Sequence, residues 1–377
     1  MAAIDITQVL KFMVDKGASD LFFSTGTAIH VEIEGNTLPV NNQVMSPGMV
    51  KEIAYALMST AQHADFEKDL EMNFAAGVPG LGRFRINVFR QRGEVAMVIR
   101  HIKSEIPSFE TLGLPGVLKE LIMRQRGLIL VVGSTGSGKS TSLAAMIDYR
   151  NANSNGHILT LEDPIEFIHS HKKCVVDQRE VGIDTHSFEN GLKNAMRQAP
   201  DVILIGEVRD MDGMKMALAY AETGHLCLAT LHANNANQAI ERVISFFPTE
   251  AKAGLLLGLA LNLVGIVSQR LVPGTQAKRV AAVEIMINSP YISELIQKSK
   301  LEEIKEVMAN NNDIGMSTFD QSLFRLFSAG KINEENALIN ADSRNDLSLK
   351  IRFTAEGAKS AGGTEDGKSS FESNYGG

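Results

Sequence analysis

The residues Gly133-Ser134-Thr135-Gly136-Ser137-Gly138-Lys139-Ser140 fit the pattern G-x-x-x-x-G-K-[ST] at every position, with Thr141 following. Glycines let a backbone curl until its N–H groups point inward at phosphate oxygens. The helical stretch that follows, from Thr141 to Met146, would add the partial positive charge of its N-terminus. The ammonium of Lys139 would reach the β- and γ-phosphates, and the hydroxyl of Ser140 would serve Mg²⁺. No Asn/Thr-Lys-x-Asp segment of the kind that reads guanine is present, so ATP is the expected nucleotide.

Three carboxylates, Glu162, Asp163 and Glu166, cluster in Glu162-Asp163-Pro164-Ile165-Glu166. Beside a triphosphate such density is repulsive unless Mg²⁺ is present or one carboxylate polarises the attacking water. A second apolar run ends in Gly206-Glu207-Val208-Arg209-Asp210, where Glu207 is placed to hold Mg²⁺, directly or through water. Two histidines, His225 and His232, bracket a further apolar run and suggest a sensing or coupling element. No cysteine or third histidine stands at zinc-ligand spacing. Arg83, Arg85 and Arg90 group in Gly82-Arg83-Phe84-Arg85-Ile86-Asn87-Val88-Phe89-Arg90. Alternation sets Arg83, Arg85 and Asn87 on one face, and the phase of Arg90 implies that the strand ends or bulges near Phe89. These arginines are either fingers for a neighbouring subunit's triphosphate or a solvated strand face.

Elements of two kinds must position these groups. Residues 1–100 read as a mixed α+β domain: a helix over 5–15, alternating strands near 30–36 and 83–88, a further strand at 95–100, and two helices within 47–69. Residues 101–115, with Pro107 and Pro115, read as a linker. From 116 to 350, apolar runs at 127–132, 157–161, 202–205 and 226–231 alternate with helical patterns, one capped by Ser187. That is the pattern of an α/β domain with a largely parallel sheet, whose ligands sit at the carboxyl ends of the strands. After about residue 245 the pattern reads as helical, with 253–269 a buried helix. Residues 351–377, rich in Gly and Ser, read as a disordered tail.

The 377 residues fit two domains and a tail, with 44% hydrophobic and 21% charged residues. Two cysteines exclude a disulfide framework and point to a reducing, cytoplasmic setting. No signal peptide and no apolar stretch of about 20 residues is evident, so membrane insertion is not expected. A net charge of −7 without a Lys/Arg block disfavours nucleic acid as the partner.

Taken in order, the motifs at 133–141, 161–166, 206–210 and 223–236 resemble the phosphate loop, acidic box, Glu-type Walker B and histidine box of the secretion/pilus ATPase superfamily, over about residues 1–350. The resemblance implies a PAS-like N-terminal domain on a RecA-like P-loop core, assembled as a homo-hexamer. It implies Glu166 as general base supported by Glu162 and Asp163, and Glu207 for Mg²⁺. It implies His225 and His232 in nucleotide sensing, and Arg83, Arg85 and Arg90 as trans-acting arginines. Two cysteines cannot form the tetracysteine module usual in extension ATPases, and the chain is similar to the retraction group, PilT and PilU. Tyr291-Ile292-Ser293-Glu294-Leu295-Ile296-Gln297 stands where PilT-like chains carry Ala-Ile-Arg-Asn-Leu-Ile-Arg, and the stretches 192–201 and 225–239 look PilU-like. Expected partners are a PilT-type paralogue and an inner-membrane platform protein, with the ring peripheral at the inner face of that membrane. A nucleotide-binding regulatory adaptor and a RecA-like nucleic-acid translocase are the alternatives.

Overall fold

A computed structural model describes residues 4–102 and 104–361. The chain divides into two compact units: Met1–Thr111 with Gly116–Leu130 and Ser140–Leu231, and Leu112–Pro115 with Val131–Lys139 and the chain from His232 onward.

The first unit opens with α1 (Ile6–Asp15), started by Asp5, whose carboxylate accepts the amides of Thr7 and Gln8. Then follow β1 (Asp20–Phe23), β2 (His30–Ile33), β3 (Asn36–Pro39), α2 (Met49–Leu57), α3 (Thr60–Asp69), β4 (Glu71–Val78), β5 (Gly82–Gln91) and β6 (Glu94–Ile102). The strands form one sheet in the order β3-β2-β1-β6-β5-β4. Its apolar face, with Phe84, Ile86 and Val88, packs against Leu10 and Met13 of α1, Val50 and Ala54 of α2 and Phe66 of α3. The expected end or bulge near Phe89 is not there. β5 pairs with β6 in unbroken register from Arg83↔Ile102 to Gln91↔Glu94. Only the pairing with β4 stops, at Glu71↔Phe89. Arg90 therefore lies on the apolar face, where its guanidinium sits over the Phe66 ring and meets Glu67, both of α3.

The same unit continues into the strand–helix alternation that the sequence predicts. After α4 (Phe109–Leu112) and α5 (Val117–Ile122) come β7 (Gly127–Val132), α6 (Lys139–Asn153), β8 (Gly156–Glu162), β9 (Cys174–Glu180), α7 (Phe188–Ala195), β10 (Val202–Ile205), α8 (Met211–Glu222) and β11 (Leu226–Leu231). The neighbours run β7-β11-β10-β8-β9, with β11, β10, β8 and β9 in parallel. Every residue of β7, β10 and β11 is buried, the property of strands covered on both faces. Ser187 caps α7 through its hydroxyl, as expected. Both cysteines are buried and free.

In the second unit α9 (Ala236–Ser245) and α10 (Lys252–Asn262) precede an antiparallel hairpin, β12 (Leu263–Pro273) and β13 (Arg279–Ile287). The hairpin corrects two expectations, that the chain is helical after 245 and that 253–269 is one buried helix. The uncharged stretch breaks at Asn262. Beyond it Val264, Ile266 and Val267 favour a strand, and a Cβ on Gly265 would meet the Met286 carbonyl oxygen at 2.5 Å. The remaining helices are α11 (Pro290–Gln297), α12 (Ile304–Asn310), α13 (Phe319–Ser328), α14 (Glu334–Ile339) and α15 (Arg344–Ala361). The last corrects the tail boundary: residues 351–361 are helical, because Leu347 and Ile351, one turn apart, bury against Phe319 and Leu323. The rest of the expected tail, 362–377, lies outside the described residues. Among the described residues no helix is long and apolar enough to cross a membrane.

Candidate nucleotide site

The phosphate loop follows directly on β7 and ends where α6 begins at Lys139. Its glycines are required by close approach. A Cβ on Gly133 would stand 2.5 Å from the Ser137 hydroxyl and 2.6 Å from the Gln269 carbonyl oxygen, and one on Gly138 would stand 2.8 Å from Gln269 Nε2. Gly136 and Gly138 have φ of 76° and 86°, the left-handed region that favours glycine. The Lys139 ammonium donates to the carbonyls of Gly133 at 2.8 Å and Ser134 at 3.0 Å, bending back over the loop. A cavity of about 380 Å³ is lined by Gly133, Ser134, Thr135, Gly136 and Ser137 with residues of the β12–β13 hairpin. Ser140 and Thr141 open the first turns of α6, half-buried.

The acidic residues lie at the carboxyl ends of parallel strands. Leu161 of β8 pairs with Ile205 of β10, so Glu162 and Gly206-Glu207 emerge side by side. A Cβ on Gly206 would press to 3.1 Å from the Glu162 Cα, and the Thr230 hydroxyl of β11 donates to the Gly206 carbonyl. The Glu162 carboxylate accepts from the Thr160 hydroxyl at 2.7 Å and from Gln178 at 3.2 Å. Burial nonetheless outweighs these bonds and pushes Glu162 up to about 7. Asp163 and Glu166 are exposed. The Arg209 guanidinium sits 2.7 Å from Glu207 and 3.9 Å from Asp163, so a cation already collects at these oxygens. The Ser140 hydroxyl and Glu207 carboxylate are hard oxygen donors of the kind Mg²⁺ takes together with nucleotide phosphates and water. No group of three or more His, Cys, Asp or Glu able to hold a metal unaided occurs among the described residues.

The two histidines are not equivalent. His232 follows the carboxyl end of β11 and is exposed. His225 precedes the amino end of the same strand, which runs six residues, or about 20 Å. The structure therefore does not bring His225 to the end where Glu162 and Glu207 emerge. Its Nδ1 instead meets the Thr223 hydroxyl at 3.0 Å and the Tyr220 carbonyl at 3.2 Å.

The three arginines also separate. Arg83 and Arg85 share the polar face of β5, and the Arg85 Nε lies 4.0 Å from the buried Glu180 at the end of β9. Glu180 in turn accepts the Ile165 amide at 3.3 Å, inside the acidic box. Burial raises the Glu180 carboxyl above its ordinary value, against the pull of Arg85 and Arg83. The Arg83 Nε is buried without a hydrogen-bond partner. Arg90 is tied within its own domain, 2.6 Å from Glu67.

Sequence reading missed Glu180, Glu284 and the pocket wall of Asn234, Gln269, Arg270, Arg279 and Asn340. Glu284 accepts the Ala236 amide at 2.8 Å and the Ser268 hydroxyl at 3.0 Å, and burial pushes it up to about 7. A lone carboxylate inside Ala281-Ala282-Val283-Glu284-Ile285-Met286 was the available signal, since a buried acid is unusual. Of the wall residues Asn234 falls inside the 223–236 motif, while Gln269, Arg270, Arg279 and Asn340 carry no local pattern that could have marked them.

A model of the family described as "Type II/IV secretion system protein" matches residues 2–313. The type IV pilus ATPase PilU of Pseudomonas aeruginosa is 50% identical over 354 residues, covering 94% of this chain and 93% of that protein. The type IV pilus retraction ATPase PilT of the same organism is 43% identical, covering 89% and 97%. A crystal structure of the pilus retraction motor PilT with bound ADP superposes with a TM-score of 0.86 at 40% identity, covering 92% of this chain and 99% of that one. The chain thus belongs to the type II/IV secretion system protein family, within its type IV pilus ATPases of the PilT/PilU group.

Proposed function

We propose that this protein is an ATP-hydrolysing motor for type IV pilus retraction, working as an accessory beside a PilT-type paralogue. The observation that carries the proposal is the phosphate loop held open by glycines with Lys139 folded over it. Anionic phosphates would take the place of the Gly133 and Ser134 carbonyls as partners of that ammonium, a charge-assisted exchange. Ser140 and Glu207 would hold Mg²⁺, which when bound neutralises charge on the phosphates. Glu166, exposed beside Glu162 and Asp163, would orient the attacking water. Glu162, shifted toward neutrality, would remain available to share a proton. His232, at the end of β11, would report on the nucleotide.

Arg83 and Arg85, on the polar face of β5, would serve the triphosphate of a neighbouring subunit in a homo-hexameric ring. Arg85 would have to give up its present partner, Glu180, for that. Arg90, bonded to Glu67, supports the N-terminal fold in this reading. Rigid-body motion of the N-terminal domain would then convert hydrolysis into work on an inner-membrane platform protein. A ring on the cytoplasmic face of the inner membrane fits a chain with no spanning helix among its described residues.

Phosphate release by the purified protein, alone and with a PilT-type paralogue, tests this reading. The wild type should turn over ATP, and Lys139→Ala should lose at least about 100-fold of that rate. Equal turnover in both proteins would remove the phosphate-loop assignment, and nucleotide binding without turnover in the wild type would favour a regulatory adaptor.

A further inference from the structure

One side chain on the pocket wall joins three separate segments of the second unit. Arg270 of β12 donates from Nη1 to the Asn340 carbonyl at 2.8 Å and from Nη2 to the Asn234 carbonyl at 3.3 Å. Its Nη2 also pairs with Asp342 at 2.8 Å. The guanidinium carbon lies 3.8 Å from the centroid of the Phe319 ring, a fully buried residue at the start of α13. Asn234 belongs to the loop that begins at His232. Asn340 and Asp342 form the turn between α14 and α15. Gln269, next to Arg270, presses its carbonyl toward Gly133 of the phosphate loop.

The turn at 340–343 is gripped from its other side as well. Asp320 of α13 accepts the amides of Asp342 and Ser343 at 2.8 and 3.1 Å. Lys305 of α12 reaches Asp342 at 3.1 Å. Arg270 is the member of this network that also lines the phosphate-loop cavity, together with Asn234 and Asn340. A guanidinium suits the task. It is planar, always charged, and offers several N–H groups in a fixed fork while its face stacks on an aromatic ring. A lysine at this position would keep the charge but lose both the fork and the stack.

We propose that Arg270 is a positioning residue that ties occupancy of the phosphate-loop cavity to the seating of the α14–α15 turn and of the His232–Asn234 loop. An anionic ligand in the cavity competes with Asp342 for the same guanidinium. Any change in that charge sharing alters the hydrogen bonds to Asn340 and Asn234 together. By linkage, a shift of the turn then alters ligand affinity by the same factor. The proposal rests on the reading of this cavity as the nucleotide site.

Hydrogen exchange over 232–243 and 334–353, measured on the full chain with and without saturating ATPγS, tests the tie. Binding is followed separately with a fluorescent ADP analogue. In the wild type, nucleotide should change exchange in both segments by about fivefold or more. Arg270→Lys should lose that response at saturating nucleotide. Asp342→Asn, outside the cavity and at the far end of the tie, should lose it over 334–353. Both variants should still unfold cooperatively. A wild type that binds nucleotide with no response over 334–353, or variants that keep the full response, would overturn the tie alone. Binding by Lys139→Ala as tight as the wild type's would instead overturn the cavity's assignment, and the tie with it.

Discussion

The phosphate loop and the β12–β13 hairpin behind it make up two walls of one cavity, yet they are written in the chain in opposite ways. The loop is local. Eight consecutive residues carry the glycines, the ammonium and the hydroxyl, so the pattern alone announces the chemistry. The hairpin is non-local. Gln269, Arg270 and Arg279 gain meaning only when β12 pairs with β13 and the pair faces the loop. The comparison shows that the motif does not stand by itself. Gly133 must be glycine partly because the Gln269 carbonyl occupies the space its Cβ would need.

Substituting Gly133 by Ala breaks the relation between the walls most severely. The new methyl would stand 2.5 Å from the Ser137 hydroxyl and 2.6 Å from a backbone oxygen that cannot turn aside as a side chain can. The loop must shift, at a cost of about 1–3 kcal/mol in stability. Nucleotide affinity should fall at least about tenfold, a change calorimetry would resolve. Unaltered affinity would mean that the hairpin does not shape the loop.

A smaller effect sharpens the other side of the comparison. Glu284 of β13 is buried, with its carboxyl raised to about 7 from an ordinary 4.5. The native state therefore holds this proton more tightly than the unfolded chain. Its contribution to stability is fully present below about pH 4.5 and lost as pH rises through 7. Glu284→Gln keeps an oxygen for the Ala236 amide and the Ser268 hydroxyl but cannot ionise. Thermal unfolding at pH 8 should show the variant gaining about 1–2 kcal/mol over the wild type relative to their difference at pH 5. A difference between the two proteins that does not change with pH would show that Glu284 titrates as an exposed acid.

Legibility followed the same division elsewhere. β7, β8, β10 and β11 were readable because strands buried on both faces are continuous apolar runs. The acidic residues were readable because they tip those runs. β12 was not, because its apolar run joins that of α10 without a charge between them, and periodicity cannot separate the two in so short a segment. The phase of Arg90 in the sequence suggests a break in β5. Its true cause is tertiary, a carboxylate on α3 that lets an arginine end an apolar face. The two histidines look symmetrical in the chain, but the direction of β11 places them at opposite ends of the strand.

The central claim is that water, activated on the acidic strand ends, cuts a nucleotide held by the phosphate loop. Single-turnover hydrolysis by Glu166→Gln, with ATP binding measured on the same sample, tests it most directly. The account predicts that the variant binds ATP as the wild type does while its hydrolysis falls by about 100- to 10,000-fold. Hydrolysis at the wild-type rate would contradict it.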